Sequence, residues 1–258
     1  IAPVDEQERV VAVTGRTVFE QADDLVSRLR SVEIAAKYRA RPRRTSLANG
    51  PCSMFHRASL MDVGGFDPTW YHAEDMEVSL RLIQAGGTIV YARDALVRHV
   101  PETGSGHFLA KRRRDARAHV RIVRHHPKRR RQGPGFDFLG SSTMILCLFP
   151  LWMAVIASGL PFLFGWYTGD LAVDRTALSH WEGQVLMISI AALLVHELLL
   201  WRGRLGVVNR EVMRSTPHNK IVAMFGVRRL TFLWSMALWH GLLLGCLDAL
   251  LGRNGHKR

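Results

Sequence analysis

The residues best suited to chemistry lie between positions 64 and 99: Gly64-Gly65-Phe66-Asp67, then His72-Ala73-Glu74-Asp75, and finally Arg98-His99. Paired carboxylates at the entry to a predicted helix are the strongest of these signals. The positive end of the helix dipole favours the ionised form of Asp75. An ionised carboxylate held in place can take a proton from a hydroxyl as a general base. Taken alone, the same pair also reads as a helix cap. His99 lies 99 − 75 = 24 residues after Asp75. On its own it reads as a strand-end histidine bonded within the core.

The elements that must position these residues alternate in character. Arg9–Thr14 is a β-branched run ending at Gly15, which predicts a buried strand. Asp23–Ala40 spaces Leu25, Leu29, Val32, Ile34 and Ala36 roughly along one helical face. Asn49-Gly50-Pro51 is a turn signal; Cys52–His56 then reads as a strand entering a helix at Ala58–Val63. Phe66 is expected to anchor the Gly-Gly loop in the core. A helix is predicted over Met76–Ala85, closed by Gly86-Gly87. Two short strands, Thr88–Tyr91 and Leu96–His99, should flank Arg93-Asp94, and His107–His126 reads as a basic helix. Alternating strands and helices indicate an α/β domain.

This order of motifs resembles the second half of the catalytic domain of family 2 glycosyltransferases, which have the GT-A fold. The matching residues are Asn49-Gly50-Pro51 with Arg57, Val63-Gly64-Gly65-Phe66-Asp67, Glu74-Asp75 with Leu80-Arg81-Leu82, then Gly86, Tyr91 and Val97-Arg98-His99. The resemblance implies that Asp75 deprotonates the acceptor hydroxyl, with inversion at the anomeric carbon, and that Glu74 helps position the acceptor. It implies substrate contacts from Gly50, Arg57, Gly65 and Phe66. It also implies a divalent metal, Mn or Mg, held in part by His99, an imidazole ligand that suits Mn better. Arg112 and Arg113 fall where cations would stabilise a leaving diphosphate or meet anionic lipid headgroups. The family's Asp-x-Asp motif is not found before residue 49, so the chain reads as a partial GT-A domain whose donor-binding half lies upstream. The QxxRW motif of processive synthases is also missing, which favours transfer of one or a few sugars.

Beyond residue 135 the composition changes. The chain carries a formal net charge of +13 over 258 residues, yet Phe138–Tyr167, Val185–Trp201 and Leu230–Leu251 are almost wholly apolar. Each approaches or exceeds the roughly 20 residues needed to cross a bilayer. The division expected is a catalytic part over 1–135 and a transmembrane region over 136–258, with about three helices at 138–167, 185–201 and 230–251. Basic clusters at Lys111–Arg131 and Arg202–Arg229 then follow the positive-inside rule, placing the catalytic domain at the cytoplasmic face of the cell membrane. Asp170 and Asp174 fall in an outer loop. Three spans leave Arg253, Lys257 and Arg258 outside, which keeps four spans open. His196, Glu197, His240 and Asp248 sit in apolar surroundings, where such groups bond to other helices or line a polar cavity.

The expected partners are a nucleotide-sugar donor, a lipid-linked or membrane-associated acceptor and membrane lipids. The membrane already accounts for the positive charge, and no aromatic residues interleave the arginine run, so no nucleic acid is expected. The rival reading is a non-catalytic membrane scaffold or transporter subunit with a degenerate transferase-like domain. The cysteines, Cys52, Cys147 and Cys246, form no CxxC pair and imply neither a disulfide framework nor a zinc site.

Overall fold

The computed structural model describes residues 9–70, 72–127, 143–168, 181–215 and 220–253. The chain divides into two compact units, one formed by Ile1–Asp137 with Ala237–Arg258, the other by Phe138–Met236.

The first unit is built on a mixed four-stranded sheet. Its strands are β1 (Val10–Phe19), β2 (Arg44–Thr45), β3 (Ser53–Phe55) and β4 (Thr88–His99), in the order β2-β4-β1-β3. β1 and β4 run parallel, and β2 and β3 are antiparallel to their neighbours. β1 does not stop at Gly15. The ladder shifts register between Thr14 and Arg16 and then continues to the pair Phe19–His99. A Cβ at Gly15 would lie 2.5 Å from the Ala95 carbonyl oxygen and from Cys52 Sγ, so only glycine lets the strands approach this closely. For the same reason β4 is one strand of twelve residues where two short ones were expected.

Four α-helices between residues 9 and 127 accompany the sheet: α1 (Leu25–Arg39), α2 (Arg57–Asp62), α3 (Glu74–Gln84) and α4 (Ser105–His125); a 3-10 turn at Gly50–Cys52 and the end of the last helix also belong to this unit. Asp24 caps α1 by accepting the Ser27 N–H at 2.6 Å. α3 packs Val78 and Leu82 on Val11, and Ile83 joins Ala12, Ala48 and Ile89. Each such side chain contributes roughly 1.5–3 kcal/mol on burial. α3 is therefore pinned to the sheet, and the carboxylates of its first turn are fixed with it.

The apolar half contains α5 (Thr143–Thr168), α6 (Trp181–Arg202), α7 (Arg204–Ser215) and α8 (Lys220–Leu250). Among the described residues, three stretches are long and apolar enough to cross a membrane: Thr143–Pro161, Trp181–Arg202 and Lys220–Leu250. The short helix α7 occupies part of what reads as a charged loop. Residues 138–142, the loop with Asp170 and Asp174, and Lys257 and Arg258 lie outside the described residues.

Pro150 sits inside α5, where it has no N–H for the Leu146 carbonyl. Ser235 of α8 repairs the gap. Its hydroxyl donates to the Leu146 carbonyl at 3.2 Å and accepts the Phe149 N–H at 3.0 Å. His196 of α6 bonds through Nε2 to the Met144 carbonyl at 2.8 Å, and Glu197 accepts from Trp201 Nε1 at 2.5 Å. These two ionisable groups thus make hydrogen bonds between or within helices, as polar groups among apolar helices do.

Candidate active site

Asp75 stands in the first turn of α3. The residue before the helix, Ala73, holds a left-handed backbone with φ 62° and ψ 26°. That conformation costs a non-glycine residue roughly 1–2 kcal/mol. It turns the chain sharply enough to set Glu74 and Asp75 at the very start of the helix. The Asp75 carboxylate accepts the Gly50 N–H through Oδ2 at 3.1 Å and the Met76 N–H through Oδ1 at 2.8 Å. Burial pushes its pKa above the ordinary carboxylate value. The amides of Gly50 and Met76 oppose that shift, whereas Glu74 and Asp115 reinforce it. Glu74 itself is exposed.

Gly50 is presented to Asp75 by the buried Asn49. Asn49 donates through Nδ2 to the Tyr38 hydroxyl at 2.9 Å and to Thr17 Oγ1 at 3.2 Å, and its Oδ1 accepts from Thr14. The Asn-Gly-Pro signal is thus more than a turn: its asparagine ties the loop to β1 and α1.

The Gly64-Gly65 loop is held from the other side. Gly64 and Gly65 have φ 85° and 68°, values that glycine adopts without strain. Arg81, one helical turn beyond Glu77, donates to the Gly65 carbonyl at 2.7 Å and to the Val63 carbonyl. It also makes two 2.7 Å bonds to the Glu77 carboxylate. Burial alone would raise the Glu77 pKa, but hydrogen bonds from His126 and Arg81 outweigh it and hold the group below its ordinary value. Further along the loop, Arg121 of α4 lies 3.9 Å over the Trp70 ring and bonds the Thr69 carbonyl at 2.9 Å. Phe66 is 47 % exposed and touches Phe55 edge-on at 5.5 Å. It therefore does not anchor the loop in the core; Arg81 and Trp70 do so.

The remaining predicted residues fall in different settings. Arg57 is exposed at the start of α2. Arg112 is buried, pairs with Asp115 at 3.2 Å, and lies in the field of Arg30, Glu33 and Glu102. Its guanidinium belongs to an internal ion network in which Arg30 bonds Glu102 at 3.0 Å. Arg113 is exposed. His99 is half-buried at the end of β4, its ring 4.6 Å from Phe19. Its Nδ1 lies 2.9 Å from the Val100 carbonyl, an acceptor only, so Nδ1 carries the proton and Nε2 keeps the lone pair a metal would need. Among the described residues no group of three or more His, Cys, Asp or Glu is placed to hold a metal ion, so His99 supplies at most one ligand here.

Two further groups lie near the carboxylate: His72, part of the His72–Asp75 stretch already singled out, and Asp115, which carries no sequence signal of its own. His72 is half-buried beside α4. Burial lowers its pKa first, Arg114 and Lys111 lower it further, and Asp115 opposes them. Asp115 also acts on Asp75, so α4 contributes charge to the site. Asp115 lies in a run of arginines where the sequence suggests nothing but a basic face.

A mixed α/β domain with a half-buried carboxylate at a loop–helix junction, joined to long apolar helices, defines the class. The family model described as glycosyl transferase family group 2 matches residues 4–253. The chain therefore belongs to the family 2 glycosyltransferases. No curated protein matches it.

Proposed function

We propose that the protein transfers a sugar, with inversion, from a nucleotide-sugar donor to a lipid-linked or membrane-associated acceptor at the cytoplasmic membrane face, with Asp75 as the general base. The observation that carries this reading is the Asp75 carboxylate. It is held by two backbone amides at 2.8 and 3.1 Å and kept basic by burial. In the reaction Asp75 takes the proton of the acceptor hydroxyl as its oxygen attacks the anomeric carbon. The bond from that carbon to the diphosphate breaks, and the nucleoside diphosphate leaves with the electron pair. Glu74, exposed beside the base, is suited to hold a second acceptor hydroxyl. Gly50, Gly65, Phe66, Arg57 and Arg113 remain available to substrate, whereas the ion network around Arg112 argues for a structural role there.

Family membership implies a divalent metal, whose chemistry is to neutralise the leaving diphosphate. From this chain His99 Nε2 would be its ligand. The basic runs flanking the apolar helices support the cytoplasmic orientation.

The test is transfer from labelled nucleotide-sugars into lipid by membranes carrying the full-length protein. Asp75→Asn should lower turnover by about 10²–10⁴-fold while membrane insertion and folding are unchanged. Full activity in that variant would remove Asp75 from the base role. No transfer from any donor by folded wild-type protein would favour the scaffold reading.

A further inference from the structure

A cavity of about 250 Å³ opens between α1, the later part of β1 and β4. Arg16, Arg39 and Arg93 line it, together with Tyr38, Tyr91 and Thr17, and no carboxylate does. Tyr38 and Tyr91 stack with ring centroids 6.0 Å apart and planes at 22°. A fourth guanidinium, Arg41, sits 5.2 and 5.6 Å from their ring centroids. Burial pushes the Tyr91 phenol up, so it stays a neutral hydroxyl at physiological pH. Among the described residues neither Arg16 nor Arg93 has a carboxylate within ion-pair distance. A concave site that gathers guanidinium groups and excludes acids is a trap for an anion. The planar donor fork of arginine matches tetrahedral phosphate oxygens two at a time. The volume admits a phosphate or diphosphate group, and the stacked rings offer an apolar wall to whatever that group is attached to.

From this we infer that the cavity is a phosphate-binding site, distinct from the Asp75 site, for a phosphomonoester or diphosphate headgroup. The two sites are physically linked. Tyr38, in the cavity wall, accepts a hydrogen bond from Asn49, and the next residue, Gly50, holds the Asp75 carboxylate. Occupancy of the cavity would therefore steady the loop that presents Gly50.

The test uses the full-length protein in neutral detergent and reads modification of individual arginines by phenylglyoxal, resolved by peptide mass. The probes are inorganic pyrophosphate and mixed micelles containing dodecyl phosphate. Arg16, Arg39 and Arg93 should be protected by at least one probe, while Arg9, exposed elsewhere, should not. Protection by pyrophosphate alone would indicate a soluble ligand; protection by dodecyl phosphate alone would indicate a lipid-borne headgroup. The protection should persist in Asp75→Asn. In the Arg16→Gln/Arg93→Gln double variant, probe affinity read from protection of Arg39 should fall about tenfold or more, as loss of charge-assisted bonds implies. Labelling of the three arginines unchanged by either probe in the wild-type protein, a readout that needs no variant to fold, would overturn the assignment.

Discussion

Burial and two backbone amides pull the Asp75 carboxylate in opposite directions, and burial prevails. The sign of the consequence follows directly. A base works deprotonated, so a raised pKa moves the acid limb of the rate profile toward higher pH. The acid limb of kcat/KM, which reports the free enzyme, should lie above the ordinary Asp value of about 3.9. Glu74→Gln removes a like charge that pushes Asp75 upward and should move that limb back toward acid. A limb that stays put in Glu74→Gln would mean another group sets the profile. Ala73 supplies the second argument at this scale. Its left-handed backbone carries a steric cost of roughly 1–2 kcal/mol that glycine avoids. Glycine adds about 0.4–1 kcal/mol of unfolded-chain entropy in return. Ala73→Gly should therefore be neutral to slightly stabilising in denaturant melts, whereas the β-branched Ala73→Val should lose stability and activity together. A left-handed alanine beside Glu74 and Asp75 is not readable in sequence, because alanine carries no turn signature.

At the scale of elements, the clamp made by Arg81 explains why an arginine sits in the middle of α3. It spans from Glu77 to the carbonyls of Val63 and Gly65, fastening the Gly-Gly loop to the helix that bears Asp75. Arg81→Leu should cost about 1–3 kcal/mol, the usual loss for hydrogen bonds to a charged group, and should raise protease sensitivity around residues 63–66. Glu77 shares this clamp with a depressed pKa. Its contribution is present above the unfolded value of about 4.3 and fades as pH falls through the lower folded value. In the other unit, Ser235→Ala strips both partners from the break at Pro150. It should cost about 1–2 kcal/mol, the range for polar bonds between apolar helices. The helices α1, α3 and α4 were legible because their apolar spacing and terminal signals agree with the packing they adopt. The continuous β4 was not: the Arg93-Asp94 pair reads as a turn, and only the neighbouring strand at Gly15 shows that the irregularity is absorbed within the ladder. The core role expected of Phe66 failed because hydrophobicity does not tell which loop residue turns inward. Trp70 does so instead, under Arg121. The sequence singled out Asp75 through the resemblance, but Asn49, which presents Gly50 to it, was visible only as a turn residue, since its bonds reach across more than thirty residues to β1.

At the scale of the whole molecule, the end of α8 bears on how often the chain crosses the membrane. Gly241 and Gly245 lie one turn apart and face α4. A Cβ at Gly241 would overlap the Arg113 carbonyl and come within 2.8 Å of Ala116 Cβ, and one at Gly245 would meet Val120 at 2.8 Å. Such small residues let two helix backbones approach closely. Arg117 of α4 then grips Asp248 with two bonds of 2.6 and 2.8 Å. Three full crossings would put Asp248 and Arg253 across the bilayer from α4, which belongs with the catalytic domain. If the apolar helices cross a bilayer, keeping the end of α8 beside α4 calls for an even number of crossings. The same placement brings Arg253 to the side where the positive-inside rule wants it. Single cysteines at Asp67 and Arg253, in a background with Cys52, Cys147 and Cys246 replaced, should react with an impermeant maleimide from the same side of sealed vesicles. Reaction from opposite sides would mean that α8 crosses and that the α4 contact does not form in the membrane. An exchange of charges makes an independent check. Arg117→Asp and Asp248→Arg should each destabilise by about 1–3 kcal/mol, and the double exchange should recover most of it, as coupled neighbours do.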